Sequence, residues 1–269
     1  MRALFFGLVV LFAACGPGEE AQVDSVPIAR YREGLAMSAA GGCSTSIANG
    51  LRDQLVEELN CIQPNLMVNF TGSHTNLYSG VNPWLASGAS SALRSATTAK
   101  NDFITISSAY RTVAEQYLLY KWWQQGQCGI QLAAAPGASN HQSGRAIDTP
   151  NWSYWRTAMT NAGWTWLGNS DTVHFDHFAS SNQASKSVLA FQRLWNKNHS
   201  SKLAEDGVWG PASNNAMASS PTSGFANHGC APPTPTTGKL SGTITDAAGG
   251  AALSGVTVSA GGKTATTGA

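Results

Sequence analysis

The sequence predicts a mixed protein in which helices alternate with short strands, and three observations carry that prediction. Ile47, Leu51, Leu55 and Leu59 recur every four residues behind a Ser44/Thr45 cap, the spacing of one buried helical face. Phe103 to Ser108 and Asp171 to His177 alternate with period two and are rich in β-formers. Between them Thr112 and Glu115 form a capping box, the start signal of a second long helix. With 269 residues there is room for one domain of good size and smaller pieces.

Composition narrows the class. Sixteen basic residues face fifteen acidic ones, for a net charge of +1. No basic stripe appears, which argues against a nucleic-acid partner. Arg2 precedes an apolar run from Ala3 to Ala14, too short for a bilayer span but right for the core of an export signal. The run closes on Phe12-Ala13-Ala14-Cys15, which resembles a bacterial lipoprotein cleavage site. Residues 1–15 therefore read as a lipoprotein-type signal, with Cys15 carrying a lipid that anchors the chain to a membrane.

Export permits disulfides. Cys43, Cys61, Cys128 and Cys230 remain, and four cysteines allow three pairings. A helix over 45–60 separates its ends by roughly 24 Å, well beyond the Cα separation of about 7 Å that a disulfide tolerates. Cys43 and Cys61 are thus expected to pair with Cys128 or Cys230, not with each other.

In chain order, residues 16–42 form a polar tether, and Pro64 marks the exit of the helix at 45–60. Residues 65–82 read as loop and short strand, with His74 exposed in the loop. Ala89 to Thr98 suits a short helix, and Phe103 to Ser108 a strand. The capping box then starts a helix from Val113 to about Gln125, closed by Gly126. Arg111 falls at this strand-to-helix junction, where a guanidinium can clamp a carboxylate in a bidentate way. A small-residue loop, Ala133 to Asn140, leads to a strand at Ala146-Ile147-Asp148. Asn151 or Ser153 caps a helix over 152–162 that buries Trp152, Trp155 and Met159, and Trp164-Thr165-Trp166 returns as a strand.

The chemistry gathers in Ser139-Asn140-His141-Gln142-Ser143-Gly144-Arg145-Ala146-Ile147-Asp148 and in Asp171-Thr172-Val173-His174-Phe175-Asp176. Two imidazoles and a carboxylate are the usual ligands of a catalytic zinc, which takes three protein ligands and keeps a fourth position open. His141, Asp148 and His174 are the expected ligands, with Asp171 as general base at a bend before the strand. Thr172, His174 and Asp176 share one strand face, so Asp176 can orient an imidazole, while His177 points the other way.

These residues resemble the zinc D-alanyl-D-alanine carboxypeptidases, whose relatives include vancomycin-resistance dipeptidases and phage L-alanyl-D-glutamate endolysins. Ser139, His141, Gly144, Ala146 and Asp148 fill the family pattern Ser-x-His-x-x-Gly-x-Ala-x-Asp, and Asp171 with His174 fills its acid-x-x-His pattern. Ser108-Ala109-Tyr110-Arg111-Thr112 with Gln116 looks like the family's substrate-side motif. The resemblance covers residues 43–180. It implies an α+β fold, a small antiparallel sheet flanked by helices around one zinc per chain. It also implies Arg111, Gln116 and Ser139 as substrate contacts, and hydrolysis of D-amino-acid peptide bonds in peptidoglycan stems.

A short helical module and an incomplete β segment follow. Within 184–230, Phe191-Gln192 and Asp206-Gly207-Val208-Trp209-Gly210-Pro211 resemble half of a peptidoglycan-binding module. Residues 231–238 are a stiff Pro/Thr linker. Residues 239–269 hold two alternating stretches, Leu240 to Asp246 and Gly255 to Ser259, that resemble the opening of a carboxypeptidase-regulatory-like β-sandwich; two strands cannot close one. The expectation is a zinc D-alanyl-D-alanine carboxypeptidase of the cell envelope, periplasmic or extracellular, with peptidoglycan and a membrane as partners. Two rivals stand beside it: an endopeptidase of the same family, and a zinc-containing wall-binding protein without turnover.

Overall fold

The computed structural model describes residues 34–230, 254–260 and 263–266. The expected signal, the lipidated Cys15, most of the tether, the Pro/Thr linker and the stretch 240–246 lie outside the described residues.

Among the described residues the fold is mixed, with six α-helices and several small sheets. α1 (Asn49–Ile62) is preceded by a 3₁₀ turn at Thr45–Ala48, where Ser44 accepts the Ser46 N–H. That tighter turn shifts the expected stripe. Leu51, Leu55 and Leu59 are buried, whereas Ile47 is 36% exposed, so the predicted four-residue repeat starts one member late. β1 (Met67–Asn69), β2 (Thr75–Leu77) and β3 (Trp84–Ala86) follow, then α2 (Ser87–Lys100), β4 (Ile104–Ile106) and α3 (Val113–Gln124). His74 is half-buried rather than exposed, its ring 5.1 Å from that of Phe103.

The second half contains β5 (Ala146–Asp148), α4 (Trp152–Asn161), β6 (Thr165–Trp166), β7 (His174–Asp176), α5 (Ala184–Asn198) and α6 (Pro211–Ser219). Asn151 occupies the N-cap position of α4, but its side chain makes no capping bond there. A separate hairpin joins β8 (Thr257–Ala260) to β9 (Lys263–Thr266).

The antiparallel sheet expected around the site is the three-stranded β5-β7-β6. β4 lies outside it and runs parallel to β2. A parallel pair requires a crossover, and α2 supplies it. β1 and β3 form a further antiparallel pair. Beneath these elements Phe70, Leu85, Leu93, Ile104, Ile106, Ile147, Trp155, Trp164 and Phe175 make one core, which settles Trp155 and Trp164 as packing residues.

A second core joins segments that the sequence divides. Leu51 and Leu55 of α1, Leu118 and Trp122 of α3, and Phe191 and Leu194 of α5 pack together with Met37 and Met217. The division between 43–180 and 184–230 is therefore not a division in packing, because α5 buries its apolar face on α1 and α3. Nor are residues 34–42 tether. Met37 is fully buried, its N–H donates to the Ser220 carbonyl at 2.9 Å, and Thr222 N–H donates to Leu35 O at 2.8 Å. Disulfides Cys43–Cys128 and Cys61–Cys230 bind this half, a pairing that respects the length of α1.

The Phe-Gln and Asp-Gly stretches of the C-terminal segment meet. Gln192 Oε1 accepts the Gly207 N–H at 2.9 Å, and its Nε2 donates to Asp206 Oδ1 and the Val208 carbonyl. Gly207 has φ +68°, and a Cβ there would lie 2.7 Å from the Ser185 carbonyl oxygen. No helix among the described residues is long and apolar enough to cross a membrane.

Candidate metal centre

Local hydrogen bonds build the loop that carries His141. Ser143 N–H donates to Ser139 O, and Gly144 N–H to His141 O, each at 3.1 Å. Gly144 sits at φ +72°, a conformation that glycine adopts without strain. Its carbonyl accepts the Ala86 N–H at 2.8 Å, and a Cβ at Gly144 would meet Ala86 N and Met67 Cε at 3.0 Å. The glycine thus lets the loop close against β3 and turn into β5. In the β5–β7 register Asp148 lies opposite His174, which sets two of the expected ligands side by side.

His141 Nε2, His174 Nδ1 and Asp148 Oδ1 converge. Their separations are 3.2 Å between the two nitrogens, 2.9 Å from His174 to Asp148, and 3.3 Å from His141 to Asp148. A tetrahedral zinc with bonds of about 2.0–2.1 Å spans ligand pairs by roughly 3.3–3.4 Å. The three side chains form a candidate metal site, with His141 and His174 buried and Asp148 half-buried.

The remaining ring nitrogens are held from outside. His141 Nδ1 lies 2.8 Å from the Ala109 carbonyl, which fixes that nitrogen as the N–H donor and leaves Nε2 with its lone pair inward. His174 Nε2 lies 3.2 Å from Asp176 Oδ1, so Asp176, 2% exposed, sits behind the second imidazole. The Asp176 position agrees with the strand alternation. The Ala109 carbonyl is a backbone group, and no side-chain pattern announces it.

Electrostatics at the site favour a positive charge in its middle. Burial opposes protonation of His174, yet the hydrogen bonds and charges of Asp148 and Asp176 push its pKa up to about 9. Burial works to raise the Asp148 carboxyl, but His141, His174 and Arg111 hold it well below the usual carboxylate range. Burial and the Arg111 charge lower His141. Two imidazoles and a carboxylate aimed at one point suit a cation shared among them, so the residues fit a zinc ion.

Arg111 stands beside this triangle. Its backbone N–H donates to His141 O at 3.3 Å, and its guanidinium lies 3.8 Å from Asp148 Oδ2. It also donates to Ser108 Oγ and Gln116 Oε1, each at 3.4 Å. Burial lowers its pKa, and the carboxylates of Asp148, Glu115 and Asp171 oppose that shift. The capping box expected at Thr112 and Glu115 is present on both sides, with Thr112 N–H donating to Glu115 Oε2 at 2.8 Å. It anchors the residue that follows Arg111. Gln116 is buried and donates to the Ala134 carbonyl at 2.8 Å.

Asp171 is exposed on the bend before β7, within electrostatic reach of Arg111. Trp166 packs against the core and also holds this bend: its Nε1–H donates to the Thr172 carbonyl at 2.7 Å. His177 packs away from the triangle, its ring 5.3 Å from Trp164, as the alternation requires. Ser139 lies at the entrance of the His141 loop and is 7% exposed.

Comparison with known proteins agrees with the site. Residues 84–200 match the family model described as VanY, D-alanyl-D-alanine carboxypeptidase. No curated protein matches the chain. The matched segment holds Arg111, His141, Asp148, Asp171 and His174, and it runs through α5, the helix that shares the second core. Over residues 84–200 the chain is thus similar to the VanY D-alanyl-D-alanine carboxypeptidase family.

Proposed function

We propose that the protein is a zinc-dependent D-alanyl-D-alanine carboxypeptidase acting on peptidoglycan stem peptides in the cell envelope. The observation that carries this reading is the convergence of His141, Asp148 and His174 beside Arg111, within a segment similar to that family. His141 Nε2, Asp148 Oδ1 and His174 Nδ1 would hold the metal, one ion per chain. Zinc at such a site acts as a Lewis acid and brings the pKa of water towards neutrality.

The chain's own groups supply the rest. Asp171, exposed at the mouth of the site, takes a proton from the attacking water and hands it to the leaving amine. Arg111 holds the terminal carboxylate of the substrate and steadies charge that develops on the scissile carbonyl. Gln116 and Ser108 hold the guanidinium in place, and Ser139 contacts the substrate at the entrance. A lipid on Cys15 would keep the enzyme at the membrane beside its polymer.

The test is mass spectrometry of purified pentapeptide muropeptides incubated with zinc-loaded protein, with a chelated control. Loss of one D-alanine, abolished by the chelator, is the expected result. An unchanged muropeptide profile at one bound zinc per chain would leave a wall-binding protein in its place.

A further inference from the structure

The loop from Ala133 to Asn140 leads into His141 and is fastened by two glutamines. Gln142, fully buried beside His141, accepts the Gly137 N–H on its Oε1 at 2.7 Å. Gln116 Nε2 donates to Ala134 O at 2.8 Å, while its Oε1 accepts from Arg111 at 3.4 Å. One loop is therefore tied both to the turn that carries a metal ligand and to the arginine beside the metal triangle.

Trp209 stands under both ties, although it lies beyond the matched residues 84–200. A Cβ at Gly137 would lie 3.5 Å from Trp209 Cβ and 3.5 Å from Val188 Cγ2, so the loop rests on these two side chains. The Trp209 ring is 6.4 Å from that of Tyr117 and 6.2 Å from that of Phe191, centroid to centroid. Tyr117 directly follows Gln116. The tryptophan thus backs both ends of the Gln116–Ala134 bond, the helix end through Tyr117 and the loop end through Gly137. It is itself fixed: Gln192 holds Gly207 and Val208 before it, and Pro211 opens α6 after it. At the start of α5, Gln183 adds a second strut, its N–H donating to Ser143 O at 3.0 Å.

We propose that Trp209 is a positioning residue for the Arg111 side of the site: wedged between α3 and the 133–140 loop, it keeps Gln116 where it aims the guanidinium at the substrate carboxylate. This role rests on the metallopeptidase reading above. His141 is held separately, by the Ala109 carbonyl at its Nδ1 and by the Gly144 N–H on its own carbonyl. Loss of the indole therefore loosens Arg111 and spares the metal. The turn from Asp206 to Pro211, which resembles part of a wall-binding module, then serves the catalytic site from behind.

The test compares wild type, Trp209→Ala, Trp209→Phe and Met217→Ala, all full-length and zinc-loaded, with acetylated Lys-D-Ala-D-Ala as substrate. Met217 is buried in the same core, so its truncation reports lost packing alone. Trp209→Ala should raise KM at least about ten-fold, the scale of one weakened bond to a charged group. Its zinc affinity, measured by chelator competition, should stay near wild type. Trp209→Phe, which keeps a ring between Tyr117 and Phe191, should restore most of the KM. Met217→Ala should lower the thermal midpoint without moving KM. Amide hydrogen exchange over 133–138 should quicken in Trp209→Ala alone. Trp209→Leu stands in if the alanine variant does not fold. An unchanged KM in Trp209→Ala, an equal rise in Met217→Ala, or a loss of zinc that accounts for the rise overturns the proposal. If wild type cuts nothing, the peptidase reading falls and hydrogen exchange decides. Quickening confined to Trp209→Ala keeps Trp209 as the support of the loop, whereas equal exchange in every variant removes it.

Discussion

Trp166 Nε1–H donates to the carbonyl of Thr172 at 2.7 Å, one residue beyond Asp171. Its indole stacks on Trp152, with ring centroids 4.8 Å apart, and Arg156 lies 5.1 Å from the Trp166 ring. A rigid aromatic ladder therefore fixes the bend that presents the exposed carboxylate. Trp166→Phe keeps the stacking and deletes the bond. With zinc bound, kcat should fall about ten-fold while KM and zinc affinity stay near wild type, since only the aim of the base is loosened. A rise in KM with kcat intact would show that the bend serves substrate binding instead.

Asp171 lies outside the group of side chains that could hold a metal. Asp171→Asn should cut kcat by about 100-fold or more, the usual contribution of a general base. Zinc measured by atomic absorption should remain at one per chain. Release of the metal by this substitution would make Asp171 a ligand and overturn the division of roles.

Gly144 combines a left-handed backbone with contacts of 3.0 Å waiting for any Cβ. Gly144→Ala should destabilise the protein by about 1–2 kcal/mol through its backbone conformation alone, more once Met67 and β3 must move. Because the loop carries His141, zinc affinity should fall with stability. Chemical denaturation with and without zinc checks both. A variant of wild-type stability would mean that the loop has another conformation available.

His177 supplies a pH dependence. Burial lowers its pKa from the ordinary value of 6.5, with Nδ1 2.7 Å from Ser180 Oγ. As pH falls below about 6.5 the unfolded chain takes up a proton that the folded chain refuses, so stability declines until the lowered folded pKa is passed. The thermal midpoint should drop between pH 7 and pH 5, and His177→Gln should flatten part of that slope. An unchanged slope in the variant would place its origin elsewhere.

Much of the site was readable because its determinants are local. Thr112 and Glu115 are three residues apart, and they form the capping box that their spacing predicts. His141, Gly144 and Asp148 belong to one loop and strand, and His174 follows the alternation of its own segment. What escaped is non-local. Met37 lies in a short stretch of small residues, and nothing near it in sequence reveals that residues 220–222 will receive it. The parallel β2–β4 pairing depends on where α2 lands. Phe191 and Leu194 disclose a helical face but not that α1 and α3 lie across from it. Trp166 packs on the core as an aromatic strand residue would, but its bond to the Thr172 carbonyl leaves no trace in residue order.

Cys61 and Cys230 are joined across 169 positions, and His141, Asp148, Asp171 and His174 all lie between them. The catalytic segment is thus a closed ring of chain. A protease that cuts any single bond inside the ring opens it without releasing a fragment, and the two new ends stay covalently attached to the same molecule. This topology makes one nick survivable: nicked protein keeps its full mass until a reductant is added, and only then separates into two pieces.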